Sequence, residues 1–184
     1  MNLHSYYYDD ESLNEPMPQE VEKSSQLMSQ KTGEEKVVEF VIGLQEFAVN
    51  LFETKEVINS PEITPIPNAP PYIRGMTNLR GIITTVIDLK EFLNVKGSGS
   101  GTKRERVIIL DPSLCHKSIG IVVDDVRSVQ NYRAEDIDLT DRSKDRYQLG
   151  VIKKQLKLAG GKNKSDLVLL LDIKGIIQKI QDEL

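Results

Sequence analysis

Apolar residues along this chain come in short, β-branched runs more often than at helical spacing. Val37–Ile42 and Glu46–Leu51 lie on either side of Gly43, Leu44 and Gln45, the spacing of a β-hairpin. In the second run Phe47, Val49 and Leu51 alternate with Ala48 and Asn50, so one face is expected to be buried. Residues 72–78 and 81–88 read as two more strands, and Arg106–Leu110, Ser118–Val123 and Val126–Tyr132 as three others. Tyr147–Lys154 is predicted as a strand with a bulge at Gly150, and Leu167–Ile173 as a continuous apolar strand buried on both faces. Helical signals are few. Phe52–Asn59 fits one helical turn or two, and Leu89–Leu93 a brief helix. Ile176, Ile177 and Ile180 mark one amphipathic helix near the end of the chain.

Turn chemistry separates these runs. Pro61, Pro65, Pro67, Pro70 and Pro71 exclude a long helix, and Ile63 and Ile66 are expected in a short edge strand among them. Residues 94–104 form a flexible glycine- and serine-rich loop, 133–146 a charged loop and Gly160–Lys164 a turn. Many short strands with one sustained helix predict an all-β barrel or sandwich. Strands up to Asp88 and strands after Arg104 are comparable in number, which places a boundary between two subdomains near 94–104.

Charge changes the picture at one end only. Residues 1–36 carry eight acids against three lysines, and residues 1–35 are rich in Ser, Glu, Gln, Asn and Pro. They read as a disordered acidic tail, with Tyr6, Tyr7 and Tyr8 as its one apolar cluster. The net charge of the whole chain is −4, so the body is close to neutral and gives no electrostatic reason to bind nucleic acid. No run approaches the ~20 apolar residues of a membrane span, so no direct membrane insertion is expected. Cys115 is the single cysteine, which excludes an internal disulfide; with a polar, acidic start, the cytoplasm is the expected compartment.

Candidate chemistry is sparse. The Gly-Ser-Gly-Ser-Gly run lacks the strand–loop–helix context of a phosphate cradle. Cys115 and His116 are adjacent but have no nearby partners to complete a zinc set, and read as a surface turn. Asp124 and Asp125 suggest a magnesium pair or, more simply, a solvated turn. Asp88 ends a strand, where its carboxylate is expected to cap the next short helix. No catalytic set, cofactor site or metal site is identified.

The densest signal is residues 73–89, two strand runs meeting at Asn78, Leu79, Arg80 and Gly81, with Gly75 close by. Glycine admits backbone angles closed to other residues, and a guanidinium at such a bend offers a fixed fork of donors. Arg80 reads equally as a structural tie and as a docking contact. Tyr72–Gly81 followed by Val86-Ile87-Asp88-Leu89 resembles the CheW family of chemotaxis coupling proteins. Support comes from Glu39–Leu51, Ile66-Pro67, Gly120–Val126 and Leu169–Ile173 with the helix that follows. The likeness covers residues 36–182. It implies two SH3-like five-stranded β-barrel subdomains packed over a shared core, with a short C-terminal helix. It implies no catalysis, and two partners: the regulatory domain of a CheA-type histidine kinase and the cytoplasmic tip of methyl-accepting chemoreceptors. Receptor-side candidates are then Glu56, Val57 and Ile58, with Gly75, Asn78, Leu79 and Arg80 shaping the adjoining bend; the kinase-side residues are not assigned.

Three positions depart from the family pattern. Thr85 replaces a usual proline, and Thr54 and Arg106 stand where small apolar residues are common, which makes the receptor groove more polar. Two other functions compete. One is an adaptor of the same fold in a non-flagellar pathway controlling surface motility or a second messenger. The other is a small β-barrel hydrolase or phosphotransferase, which requires Asp88, Asp124 or Asp125 to converge in a cleft.

Overall fold

The computed structural model describes residues 33–97, 105–139, 147–157 and 163–183. β1 (Glu34–Ile42) and β2 (Gln45–Asn50) form the opening hairpin, with Phe40 facing Phe47 at a ring separation of 6.0 Å. β8 (Asp125–Arg133) flanks β1, and β11 (Asn163–Leu171) runs parallel to β2. β10 (Gln148–Lys157) and the two-residue β9 (Ile137–Asp138) complete a sheet of order β8-β1-β2-β11-β10-β9. The second sheet contains β3 (Thr54–Asn59), β4 (Ile73–Leu79), β5 (Ile82–Asp88), β6 (Arg106–Leu110) and β7 (Ser118–Val123) in the order β3-β6-β7-β5-β4. Two helices are described, α1 (Leu89–Phe92) and α2 (Ile173–Glu183).

Period-two alternation divides the apolar residues among three clusters. Val37 of β1 joins Ala48, Ile137, Ile152, Val168 and Leu170 inside the first sheet's curl. Val86, Val107, Ile109 and Val122 fill the second. Val38, Phe40 and Ile42 point the other way, into a larger cluster shared with Ile73, Ile87, Ile108 and Ile121 of the second sheet. α2 closes this shared core with Ile173, Ile176, Ile177 and Ile180, all buried, each contributing about 1.5–3 kcal/mol by leaving water. The fold is therefore all-β, two small SH3-like barrels over a common core with one short helix after them. The first sheet reaches six strands only because β9 adds two residues to its margin.

Several expectations change. Of the expected helical stretch only Phe52 and Glu53 are helical, in a single 3-10 turn, Leu51–Glu53, in which the Asn50 side chain accepts from Phe52 N at 2.9 Å. Thr54–Asn59 is strand, because its side chains alternate between half-buried and exposed. The edge strand expected at Ile63 and Ile66 reduces to a bridge at Thr64, since the surrounding prolines have no N–H to donate. The run Leu167–Ile173 is covered on both faces, Val168 and Leu170 in one cluster and Leu169 and Leu171 against the other, but it is strand only to Leu171. Leu167 is exposed, and Asp172 breaks the run: its carboxylate accepts from Gly175 N at 2.9 Å and starts α2. Glu34 and Glu35, assigned to the acidic tail, open β1; the tail up to residue 32 lies outside the described residues, as do 98–104, 140–146 and 158–162 of the expected loops and turns.

The chain crosses between sheets at Leu51–Glu53 and again at Asp124. The boundary expected near 94–104 therefore does not separate them: β3–β5 before it and β6–β7 after it share one sheet, since β6 pairs with β3 and β7 runs beside β5. At the second crossing Asp124 N donates to Val41 O at 2.9 Å, and its carboxylate accepts from Gly43 N at 2.6 Å. The hairpin tip of the first sheet is thus tied to the chain leaving the second.

Candidate functional site

The Asn78–Gly81 bend joins β4 to β5 through a two-residue connection, with Leu79 and Ile82 as the last paired residues. Arg80 has φ +53° and Gly81 φ +89°. Positive φ at both central residues is the signature of a type I′ turn, whose twist matches its flanking strands. Asn78 supports it: its Oδ1 accepts from Gly81 N at 2.8 Å. Arg80 therefore occupies a conformation that costs a side-chain-bearing residue about 1–2 kcal/mol. Its guanidinium reaches Glu56 of β3 at 3.3 Å, with the arginine side chain 83% exposed and the glutamate 30%. A surface pair of this kind adds only about 0.2–1 kcal/mol. The pair links β3, one margin of the second sheet, to the turn that follows β4, the other margin, and leaves most of the guanidinium in solvent.

Gly75 closes the same seam from within β4. Thr64 and Met76 exchange two backbone hydrogen bonds of 2.8 Å, and a Cβ on Gly75 would lie 2.3 Å from Thr64 O. With φ +148° and a register shift beside it, this position requires glycine. Ile58 and Leu79, with Ile63, pack against the second barrel's interior cluster and serve as filling. Val57 stands on the opposite face of β3 and is 43% exposed. So the structure brings Glu56 to Arg80, sets Ile58 and Leu79 against one interior cluster, and leaves Val57 apart on its own face.

Sequence reasoning missed the outer face of the β4–β5 hairpin, where Met76 and Ile83 are exposed, as is Ile82 at its tip. Two signals in the chain mark it. Met76 lies two residues from Asn78 on β4, and the Ile82-Ile83 pair must turn one isoleucine outward. The polar departures are absorbed locally. Thr54 Oγ1 donates to Leu51 O at 2.8 Å, and Arg106 donates to Asn59 Oδ1. Thr85 sits in the middle of β5, paired on both sides with Met76 and Ile119.

The candidate carboxylates have separate partners. Asp88 caps α1, accepting from Lys90 N at 3.0 Å and Glu91 N at 3.2 Å. Asp124 holds Gly43, and Asp125 pairs with Arg127 at 3.3 Å. Cys115 donates to Lys117 O at 2.8 Å, beside an exposed His116. Among the described residues no three His, Cys, Asp or Glu side chains gather as metal ligands. None of the described helices is long and apolar enough to cross a membrane. Burial perturbs a different carboxylate, Glu53 between the sheets. Desolvation pushes its pKa up, Lys174 opposes this, and Asp172 and Glu35 reinforce it.

Two small barrels over a shared core define the class of fold. Residues 36–181 match the model of the CheW-like domain, and the chain belongs to that family. It is 32% identical to the chemotaxis protein CheW of Klebsiella aerogenes over 114 residues, 61% of this chain and 66% of that protein. It is 31% identical to the chemotaxis protein CheW of Thermotoga maritima over 144 residues, 78% of this chain and 88% of that one. Protein PilI of Pseudomonas aeruginosa matches at 28% over 95 residues, about half of each chain. Among solved structures, the crystal structure of the scaffolding protein TtCheW from Thermoanaerobacter tengcongensis superposes with a TM-score of 0.61 at 26% identity, covering 74% of this chain and 88% of that one.

Proposed function

We propose that this protein is a non-enzymatic cytoplasmic adaptor that couples the cytoplasmic tips of chemoreceptors to a CheA-type histidine kinase in chemotaxis signalling. The observation that carries the reading is the Arg80 bend: a left-handed arginine, pinned by Asn78 and Gly81, that keeps its guanidinium in solvent beside Glu56. A fixed fork of donors on a strained turn suits docking better than stability, since the ion pair it makes is weak. Glu56 and Arg80 form the receptor contact, with Val57 apart from it on the other face of β3. Gly75 and Asn78 hold the bend, and Ile58 and Leu79 fill the barrel beneath it. The likeness to proteins named for chemotaxis supports the pathway.

The test is capture on an immobilised CheA-type regulatory domain, followed by co-sedimentation with receptor-containing membranes. Capture at tens of micromolar, the level of a weak modular contact, is expected. No capture from either partner at that concentration overturns the reading. A second reading has one observation in its favour, the match to PilI: the same adaptor serves a non-flagellar chemosensory pathway. Deleting the gene separates the two, since loss of swimming taxis supports the first and loss of surface motility alone the second.

A further inference from the structure

A buried charge in the first barrel has no part in the docking surface. Glu39 interrupts the apolar run of β1, is only 1% exposed, and shares its face with Val37, which lies in the first barrel's interior cluster. One carboxylate oxygen accepts from the Tyr132 hydroxyl. The other accepts from Lys154 Nζ at 2.8 Å and from Ser128 Oγ at 3.4 Å. Tyr132 and Ser128 belong to β8, and Lys154 to β10. These strands are not neighbours in the sheet: β8 is one margin, and β10 lies next to β9 at the other. β9 covers β10 only at Val151 and Ile152, so Lys154 lies two residues beyond the end of that ladder. A single carboxylate therefore spans the gap between β8 and β10 where backbone pairing has stopped. Other acids surround it. Glu46 and Asp136 lie near Tyr132, and Asp166 is the cross-strand neighbour of Lys154. The lysine, 25% exposed, is the cation that keeps the buried carboxylate tolerable.

We propose that Glu39 and Lys154 form a latch that closes the first barrel across the β8–β10 seam, and that loss of the lysine's charge opens the barrel at this seam while the second barrel stays shut. The physical asymmetry is that removing one member of a buried pair strands the other, whereas replacing both by apolar groups removes the problem. Hydrogen exchange on the full chain, read peptide by peptide, tests this. Lys154→Met should speed exchange in β8 and β10 by at least about tenfold, with β5–β7 unchanged. The double variant Glu39→Val/Lys154→Met should return β8 to within about threefold of the parent. Lys153→Met, which breaks the exposed pair with Asp138 at 3.3 Å, should leave β8 unaltered. Unchanged β8 exchange in Lys154→Met, or equal acceleration in both sheets, overturns the latch. If Lys154→Met does not fold, the double variant decides: parental β8 protection supports the proposal, and an unprotected β8 or a second failure to fold overturns it.

Discussion

Arg80 and Glu53 are each held against their own preference. Arg80 is placed at φ +53° by the turn it sits in, so glycine there relieves strain. Arg80→Gly should therefore melt no earlier than the parent, because the lost surface pair is worth about 0.2–1 kcal/mol, yet lose receptor-dependent assembly. Thermal melts beside a receptor co-sedimentation assay check this; early melting with intact coupling would assign Arg80 to structure alone. Glu53 carries a buried oxygen with no hydrogen-bond partner among the described residues, and its pKa is raised by burial. A folded pKa above the unfolded one gives stability below the unfolded value that is lost as pH rises through the folded value. Glu53→Gln should thus gain stability relative to the parent at neutral pH and flatten that part of the pH profile in denaturant titrations. The bend was legible because Asn and Gly are turn residues between two apolar runs. Glu39 was not, because one acid in an alternating strand looks like any solvent-facing position until the strand opposite is known.

Elements with strong periodicity are legible in the sequence: the opening hairpin, β5 to β8, α1 and α2 all lie within a few residues of their expected positions. β3 reads as helix from sequence because Thr54-Lys55-Glu56 mixes charges, and only its place beside β6 makes it strand. β9 has two residues, too few for any pattern. The end of β11 was missed because Asp172 between apolar residues reads as a break only once its cap to Gly175 is seen. That cap and the isoleucine stripe hold α2 in place. Ile180→Ala should cost about 2–5 kcal/mol through the cavity it leaves in the shared core, and Asp172→Ala about 1 kcal/mol through the lost cap. Urea titrations measure both; a cost below about 0.5 kcal/mol for Ile180→Ala would mean that α2 is not part of the core.

For the whole molecule, pattern alone pointed to many strands but could not sort them into sheets. The two parallel pairings, β2 with β11 and β5 with β7, join segments far apart in sequence that carry no mark of each other. The shared core has a thermodynamic consequence. Because Val38 and Phe40 of one sheet pack in the same cluster as Ile108 and Ile121 of the other, neither barrel keeps its outer face buried alone. The described body should lose its structure in one transition, with tyrosine fluorescence and far-ultraviolet circular dichroism giving coincident curves; two separated transitions would show that the barrels fold independently. The double crossing at Leu51–Glu53 and Asp124, with Gly43 stapled to the second passage, matters for the same reason. Two crossings resist rotation where one would act as a pivot. A protein that gripped either lobe would therefore set the bearing of the other, with the body acting as a spacer of fixed angle.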